Sequence, residues 1–346
     1  MHLTILRTQE EFDKHETEWN EMLSISSASH VPFLRHEYLS TWWRTLGGGE
    51  WEHGDLFTIL MRNDDGLLRG IAPLFFSNNC DGEPAIMLLG SIEISDYLDF
   101  ITHDSEANMF FDTLIDFLGS EQAPPWRVID LFNILDDSST LPALYSAADR
   151  RGWHISDQEL QPCPRITLPG DWETYLAGIH KKQRHEIRRK MRRAENYGQP
   201  VRWYIVEDES SLDGEIDDFL SLMAQDPEKS RFLTDVMRTH MRQSVHKAFR
   251  QGWLQLSFLE VGVVKTAGYL NFDFANNILV YNSGLNFEYG SLSPGWVLLG
   301  HLLKWAIDNK RNSFDFMRGD EPYKYRFGGV ARYVKRMSIR RESTTE

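Results

Sequence analysis

The sequence is poor in cysteine and contains no long uncharged apolar run. Its 346 residues include only two cysteines, Cys80 and Cys163. Two thiols in so long a chain exclude a disulfide framework, and no Cys/His spacing predicts a zinc site. Because no uncharged apolar run approaches the ~20 residues that cross a bilayer, we expect no transmembrane segment. The sequence therefore predicts a protein without a metal site or a membrane span.

The first 23 residues also lack the positively charged leader and the apolar core of a secretory signal. The sequence therefore predicts a cytoplasmic protein. Its formal charge of -14 favours solubility and argues against a protein that coats nucleic acid. An acidic chain is nevertheless compatible with one local basic site.

Hydrophobic residues make up 41% of the chain and aromatic residues 12%, which is enough for packed cores. A length of 346 residues predicts two domains, since one domain averages ~150 residues. The best boundary is the proline-rich stretch LQPCPRITLPG at Leu160–Gly170. We therefore predict domains at residues 1–160 and 161–346.

The two halves of the chain repeat one order of elements: helices, hairpin, strand, helix, strand, helix. Leu56–Phe76 and Trp253–Phe274 each predict a β-hairpin with a glycine at the turn. AIMLLG and ILVYNS predict the next strand, and RVIDLF and SFDFM predict the strand after the following helix. An internal repeat of this length predicts two copies of one α/β unit.

The most unusual segment is Lys181–Arg193, which holds eight Lys or Arg residues against one Glu. Ile187, Met191 and Ala194 lie at helical spacing, so a helix would dock by this apolar seam and expose its cations. One interpretation is a solvated charged face. The other is a site for a phosphate, a pyrophosphate or an acidic glycan, which the planar fork of arginine suits. No aromatic residue interleaves the cations, which disfavours nucleic acid.

A second candidate is the strand–loop–helix segment YNSGLNFEYGSLSPGWVLL. Ser293 is a natural N-cap, Pro294 suits the first helical position, and Gly295 lets a ligand approach the backbone closely. The first amides of a helix have no internal partners, so this end predicts an anion site. A purely structural helix start is the alternative.

The third and most specific candidate is FDFMRGDEPYKYRFGG, at Phe314–Gly329. A predicted strand is followed there by a dense polar and aromatic cluster. Polar groups at the end of a buried strand of an α/β sheet line a crevice. A structural salt-bridge cluster is the alternative. The cluster comprises Arg318, Asp320, Glu321, Tyr323, Lys324, Tyr325 and Arg326.

Together these motifs resemble one branch of the GNAT acyltransferases, the CelD/BioF-like acetyltransferases. The two-copy layout is similar to the FemABX peptidyltransferases, which are tandem GNAT folds. The resemblance in element order covers most of the chain, and the motifs match from about Lys181 to Phe327. It implies an α/β fold of tandem GNAT-like domains, each a mixed, mostly antiparallel sheet flanked by helices.

The resemblance also implies the activity, which is transfer of an acyl group, acetyl above all, from a CoA thioester. The acceptor would be an amine or hydroxyl of a small molecule or of a sugar-containing envelope precursor. The donor would bind where two strands splay, with main-chain amides on the pantetheine arm and the thioester carbonyl. The residues carried over as donor contacts are Ser283, Gly284, Tyr289, Gly290, Ser293, Gly295 and Trp296.

One departure concerns the phosphate loop of the family, Gln/Arg-x-x-Gly-x-Gly/Ala. YGSLSPGW stands in its place here, which leaves the identity of the donor open. The fold is not affected by this departure.

Direct attack by the acceptor needs a base and an acid but no protein nucleophile. Tyr323 follows the last core strand, where the resemblance implies the acid, and a phenol with a pKa near ~10 stays protonated at neutral pH. Asp320 or Glu321 would act as the base or orient it. Cations would bind the anionic parts of donor or acceptor; they are Lys181, Arg184, Arg188, Arg318, Lys324 and Arg326.

The N-terminal copy has no comparable polar cluster after VIDLF, and we interpret it as a degenerate half that shapes the acceptor groove. Its best candidates for substrate contacts are Asp96, Tyr97 and Asp99. Two other functions stay open. One is a FemABX-type transferase that uses aminoacyl-tRNA, although no long heptad-patterned arm is present. The other is a non-catalytic module that binds RNA or an anionic membrane through the basic helix.

Overall fold

The computed structural model describes residues 1–341, which form two compact units. Pro162–Ala331 make the second unit, and the first combines Met1–Gln161 with the chain from Arg332 onward. The first unit therefore includes the C-terminal strand, Tyr333–Arg340.

The helices and strands of residues 1–341 are as follows, in chain order. The α-helices are α1 (Gln9–Asp13), α2 (Glu16–Ile25), α3 (His36–Gly49), α4 (Ala107–Leu118), α5 (Thr140–Asp149), α6 (Trp172–Gly178), α7 (Lys181–Glu195), α8 (Leu212–Met223), α9 (Pro227–Phe232), α10 (Asp235–Arg250), α11 (Pro294–Asp308) and α12 (Pro322–Arg326). The strands of the first unit up to residue 162 are β1 (His2–Leu6), β2 (Asp55–Leu56), β3 (Thr58–Arg62), β4 (Leu68–Ala72), β5 (Leu74–Asn78), β6 (Pro84–Leu88), β7 (Ile101–Thr102), β8 (Val128–Leu135) and β9 (His154–Pro162). The remaining strands are β10 (Arg165–Thr167), β11 (Val201–Ile205), β12 (Leu254–Val261), β13 (Val264–Phe274), β14 (Asn277–Leu285), β15 (Ser313–Asp315) and β16 (Tyr333–Arg340).

The first unit contains two sheets. One has the order β1-β3-β4-β7 and the other β2-β5-β6-β8-β16-β9. In the larger sheet, β6 and β8 run parallel, while β5 and β16 flank them in antiparallel pairing. The chain changes sheets between β4 and β5, at Pro73, so the predicted hairpin Leu56–Phe76 is divided between both sheets.

The second unit contains one six-stranded sheet, of order β10-β15-β14-β13-β12-β11. Here β14 and β15 run parallel, while β13 and β10 flank them in antiparallel pairing. The long hairpin β12–β13 turns at Gly262, whose positive φ of 63° suits glycine. Each unit therefore contains a parallel pair of strands set between antiparallel neighbours.

The basic helix α7 docks by the apolar seam that its spacing predicted. Ile187 and Ala194 are buried in the core of the second unit, and Met191 packs against that core. Met191 contacts α11 where Gly300 has no side chain, since a Cβ there would lie 3.0 Å from the methionine sulfur. Burial of this seam fixes α7 beside α11 and leaves most of its cations at the surface.

Helix α11 is the central helix of this unit, because its apolar residues face the core on nearly every turn. None of the helices within residues 1–341 is long and apolar enough to cross a bilayer.

Candidate active site

The parallel strands β14 and β15 separate after a short paired segment. Their pairing joins Asn277–Leu279 to Ser313–Asp315 and ends there. Strand β14 continues to Leu285, paired only with β13 over this distance within residues 1–341, and a register shift at Leu270/Asn271 interrupts that ladder. Beyond Asp315 the chain leaves the sheet through Met317, which has a left-handed φ of 54°. We name the space between the two strands the C-terminal gap.

The edge of β14 that faces this gap is covered by side chains at Ser283. The Ser283 amide donates to the Asn282 side-chain oxygen at 2.9 Å. The Lys229 ammonium donates to the Ser283 carbonyl at 2.6 Å and to the Asn282 side-chain oxygen at 2.9 Å. The Ser283 main-chain amide, which a donor would need to find free, is therefore already hydrogen-bonded to the Asn282 side chain.

Lys229 is a residue that the sequence analysis missed. It lies half-buried on the short helix α9, where burial lowers its pKa, while the carboxylates of Asp226 and Glu321 act in the opposite direction. Both of its hydrogen bonds go to acceptors and favour the protonated form. Its only sequence signal was the Asp-Pro start of α9, which marks a helix but no function.

Near the C-terminal gap, Tyr323 lies close to Glu321 and to Tyr269 of β13. Tyr323 is half-buried on α12 and contacts the ring of Phe316 edge to face. Burial raises its pKa well above the ordinary value, and Tyr269 and Glu321 add to this effect. The pKa of buried Tyr269 is raised in the same way, by burial and by Glu321. Tyr323 therefore stays protonated across the physiological range and retains a proton to donate.

Lys324 does not serve the role that the sequence predicted. Its side chain is only 3% exposed, and its ammonium donates to the carbonyls of Arg318 at 2.6 Å and Gly319 at 3.3 Å. It also forms an ion pair with Glu321 at 2.9 Å. Because these groups surround the ammonium, Lys324 holds the loop between β15 and α12 and does not bind an anion at the surface.

The remaining residues of this loop are nearer the surface. Asp320 is exposed and accepts a hydrogen bond from the Tyr325 hydroxyl at 2.6 Å. Arg318 is half-buried in the loop, whereas Arg326 is exposed at the end of α12. Asp320 and Glu321 are adjacent in the sequence, but it is Glu321 that helps to raise the pKa of Tyr269 and Tyr323.

The start of α11 differs from its prediction. Ser293 takes a left-handed conformation, φ 56° and ψ 56°, and its side chain makes no capping hydrogen bond. Instead, the Lys190 ammonium on α7 donates to the Ser293 hydroxyl at 2.6 Å and lies 4.7 Å from the centroid of the Trp296 ring. The basic helix and the SPGW turn thus meet, a contact between residues 103 apart in sequence.

Lys190 and Arg193 form the positive side of this contact. Lys190 is 14% exposed, and burial lowers its pKa while Glu186, 3.6 Å away, acts in the opposite direction. Arg193 lies near enough for its charge to lower the pKa of Lys190 further. Its Nε is buried and has no hydrogen-bond partner within residues 1–341. A cation beside a helix N-terminus, with a second cation nearby that has an unpaired buried donor, fits an anionic group.

The other predicted cations of α7 do not reach this contact. Arg188 pairs with Glu173 on α6, and Arg184 donates to the Leu176 carbonyl at 3.4 Å. Lys181 is exposed on the first turn. The segment Lys181–Arg193 therefore contains both a solvated face and a small set of cations directed to α11.

Gly284 and Gly295, two of the predicted donor contacts, allow neighbouring groups to pack closely because they have no side chain. A Cβ on Gly284 would lie 2.6 Å from the main-chain nitrogen of Met223 on α8. A Cβ on Gly295 would lie 2.8 Å from the Leu285 side chain. Gly295 therefore admits Leu285 where the sequence predicted a ligand. Tyr289 is half-buried against the core, and Gly290 is exposed.

In the first unit, a loop occupies the corresponding place between β6 and β8. These strands pair at Ala85–Ile86 with Val128–Ile129, and the chain then runs through Ser91–Leu98 beside the rest of β8. The Asn133 side chain donates to the carbonyls of Ile92 at 2.7 Å and Ser95 at 2.8 Å, and the Leu98 amide donates to the Asn133 carbonyl at 2.9 Å. We name Ser91–Leu98 the plug loop.

The plug loop contains or adjoins the residues predicted to contact an acceptor. Tyr97 is completely buried, with the Arg332 guanidinium 5.0 Å from its ring centroid, so it does not line a groove. Asp99 is also buried, and burial raises its pKa to about 6. Asp96 is half-buried. Within residues 1–341, no group of three or more His, Cys, Asp or Glu side chains is arranged to hold a metal ion.

Comparison with known proteins supports the GNAT assignment at the level of fold. The profile of the family described as acetyltransferase (GNAT) domain matches residues 181–325, less than half of the chain. A search of curated proteins finds no significant match.

Solved structures match over nearly the whole chain, at low identity. FemX matches with a TM-score of 0.63 and 13% identity, covering 97% of both chains. The C-terminal domain of a putative lysylphosphatidylglycerol synthetase from Agrobacterium fabrum matches with a TM-score of 0.57 and 9% identity, covering 97% of this chain and 93% of that one. A tandem GNAT protein from the clavulanic acid biosynthesis pathway matches with a TM-score of 0.50 and 11% identity, covering 98% of both chains.

These likenesses confirm the predicted fold class, an α/β fold of tandem GNAT-like units built on mixed sheets flanked by helices. They support an acyltransferase of GNAT type, whereas the CelD/BioF-like branch is not distinguished from Fem-like relatives.

Proposed function

We propose that the chain is an acyl-CoA-dependent acyltransferase that works in the C-terminal gap. The observation that carries this proposal is the separation of β14 from β15 after Leu279 and Asp315. A strand edge that has lost its neighbour offers main-chain groups to an extended ligand. The match of residues 181–325 to a GNAT acetyltransferase domain supports the same function.

The residues beside the gap fit a CoA donor. Lys190, Arg193 and the start of α11 would hold its phosphates, and the unpaired Arg193 Nε supports this assignment. Acyl-CoA would supply an activated thioester, and CoA would leave as the thiol. The edge of β14 near Ser283 would receive its extended arm, and this requires the Asn282 side chain to release the Ser283 amide. Ser283, Tyr289, Gly290 and Trp296 would contact the donor, as the resemblance implies.

Lys229 would stabilise the negative charge that builds on the thioester carbonyl oxygen. A lysine ammonium has three N–H donors, and the two bonds to Ser283 and Asn282 leave one for a ligand. Since the side chain is anchored, its charge is directed before the reaction begins.

Proton transfer would be divided between Glu321 and Tyr323. Glu321 would accept the proton of the attacking amine or hydroxyl, directly or through Asp320, and Lys324 would keep Glu321 in place through their ion pair. Tyr323, kept protonated by its raised pKa, would donate to the departing thiolate. No group in this scheme needs a metal.

An aminoacyl-tRNA donor is the second candidate. The likeness to FemX and the exposed cations of α7, such as Lys181 and Lys182, favour it. Against it, the longest helix within residues 1–341 is α10, of 16 residues, and no long helical arm is present there.

A thiol-release assay separates the two donors. We expect acetyl-CoA or a longer acyl-CoA to release free thiol in the presence of an amine or hydroxyl acceptor. The control is the Tyr323→Phe variant, which should bind CoA and release little thiol. Release of no thiol from any acyl-CoA, combined with transfer from a charged tRNA, would assign the second function.

A further inference from the structure

The second unit contains a cavity of about 450 Å³ that the proposed reaction does not use. It lies between β10, α6, the start of α7 and α12. Tyr325 and Arg326 of α12 line it, whereas Tyr323 and Lys324 of the same helix belong to the C-terminal gap and its loop. Its further lining includes Thr167, Thr174, Gly178, His180 and Gln183.

Among the residues that the structure describes, Arg326 is the one arginine in the lining of this cavity. The residue is exposed, and within residues 1–341 its side chain forms no ion pair and no hydrogen bond. Gln183 adds a half-buried amide. His180 accepts a hydrogen bond from the Lys182 amide at its Nδ1, 3.3 Å away, so the neutral ring carries its proton on Nε2. The cavity therefore offers hydrogen-bond donors from three side chains.

Three carboxylates adjoin residues of the cavity lining, and each accepts hydrogen bonds from another group. Asp171 accepts from the Thr174 amide at 2.9 Å and from its hydroxyl at 2.6 Å. Glu173 pairs with Arg188, and Asp320 accepts from Tyr325. None of these carboxylates forms an ion pair with Arg326, which is the one Lys, Arg, Asp or Glu residue in the described part of the cavity lining.

The start of α7 contributes little to this site through its main chain. The Lys182 amide is bound by His180, and the amides of Gln183 and Arg184 donate to the His180 carbonyl at 2.9 and 3.1 Å. Recognition at the cavity consequently depends on side chains, with Arg326 supplying the planar fork that matches two oxygens.

We propose that this cavity binds an oxyanion, a phosphate ester or a carboxylate, carried by the acceptor substrate. Arg326 holds the oxyanion, and Gln183 and His180 complete its hydrogen bonds. Tyr325 connects the cavity to the loop that contains the proposed base, since its hydroxyl is bonded to Asp320, next to Glu321. Only the identification of the ligand as the acceptor rests on the proposed function; the preference of the cavity for oxyanions stands on the cavity itself.

Calorimetric titration of the full chain tests the proposal, with CoA at saturation to occupy the donor site. The probes are pyrophosphate, inorganic phosphate and citrate, so the two chemical sources of the oxyanion are compared. We expect one of them to bind, and Arg326→Gln to weaken it at least ~10-fold through loss of charge-assisted hydrogen bonds. Arg127→Gln, which removes an exposed arginine of the first unit, is the matched control and should bind like the parent.

A second variant tests the cavity without a change of charge. An added Cβ at Gly178 meets nothing within 4 Å, and its φ is not in the left-handed region, so Gly178→Leu should fold and fill the space. We expect it to lose the probe while its thermal unfolding and its CoA affinity match the parent.

The outcomes separate this proposal from the proposed function. Absence of any probe binding by the parent, or parental affinity in Arg326→Gln or Gly178→Leu, overturns the cavity proposal. If the parent does not bind CoA, the proposed function fails; the titration is then repeated with Lys190→Met, which removes the competing cation, and it decides the cavity alone.

Discussion

The two units differ most where their parallel strands part. In the C-terminal gap, the side chains of Asn282 and Lys229 cover the edge of β14. Between β6 and β8, the plug loop supplies main chain instead, held by Asn133 and by the Tyr38 hydroxyl, which donates to the Ile94 carbonyl at 2.8 Å.

The two strand edges therefore differ in how readily they can be uncovered. The Asn282 side chain can rotate away from the edge of β14 at small cost, whereas the plug loop is tied by several hydrogen bonds. Further ties come from Trp51, which donates to the Ser91 carbonyl at 2.7 Å, and from the Glu50 carboxylate, which accepts from the Ile92 amide at 3.1 Å. We infer that the first unit has a closed gap and the second an openable one.

The largest expected effect is on the acid of the C-terminal gap. Tyr323→Phe removes the phenolic proton but keeps the ring that contacts Phe316, so kcat should fall between ~100- and ~10,000-fold, the usual value of an acid catalyst. Thermal unfolding should be unchanged. The Tyr97→Phe variant, changed beside the closed gap of the first unit, should transfer acyl groups at the parental rate. Equal loss in both variants would remove the distinction between the two gaps.

The next effect concerns the charge at the edge of β14. Lys229→Met keeps the length of the side chain and loses its ammonium, so kcat should fall about 100-fold while the affinity for CoA changes little. Arg231→Met on the same helix, whose guanidinium donates to the Pro227 carbonyl, is the control. Steady-state kinetics decide the matter, and a variant with parental kcat would show that Lys229 only packs there.

The plug loop can be loosened from β8. Asn133 has a φ of 62°, so Asn133→Ala loses two hydrogen bonds and strains the backbone. The free energy of unfolding of the first unit should fall by about 2–4 kcal/mol. Asn133→Gly keeps the left-handed conformation and should lose about 1 kcal/mol less. Urea unfolding measures both, and CoA affinity should stay parental; altered affinity would connect the first gap to the donor.

The smallest effect is a pH dependence at Asp99, next to the plug loop. Its folded pKa of about 6 exceeds the ordinary 3.8. As pH rises through this window, the unfolded chain ionises first, so the free energy of unfolding should fall by about 2 kcal/mol from pH ~4 to pH ~7. Asp99→Asn should lack this fall.

The parent must be compared with Asp99→Asn because two histidines also make the free energy of unfolding depend on pH. Burial lowers the pKa of His240 and His301 to about 4, so their contribution is lost as pH falls and has the opposite sign. The difference between the two unfolding curves isolates Asp99. Identical pH profiles would mean that its carboxyl titrates normally in the folded chain.

Elements with local signals could be predicted from the sequence. The seam Ile187–Ala194, the helix after Ser293 and the hairpin turning at Gly262 follow from periodicity, a helix start and a glycine turn. Strand β16 also alternates between buried and more exposed positions, but no local signal says which sheet it joins.

The candidate site depends on contacts that local patterns do not contain. The end of pairing between β14 and β15 is set by packing across more than thirty residues, and the bond from Lys190 to Ser293 joins two motifs that the sequence treated separately. Lys324 shows a second limit of prediction from sequence. A lysine in a polar segment is expected at the surface, but the Lys324 ammonium is enclosed by main-chain carbonyls. The types of the site residues could be read from the sequence, whereas the directions of their side chains could not.

The most direct measurement is a crystal structure of the full chain with CoA bound. It should contain one CoA per chain, extended along β14 between Val280 and Leu285, with phosphates at Lys190 and Arg193 and with the Ser283 amide released by Asn282. CoA between β6 and β8, or a C-terminal gap in which β14 pairs with the chain beyond Asp315, would contradict the assignment of the donor site to the second unit.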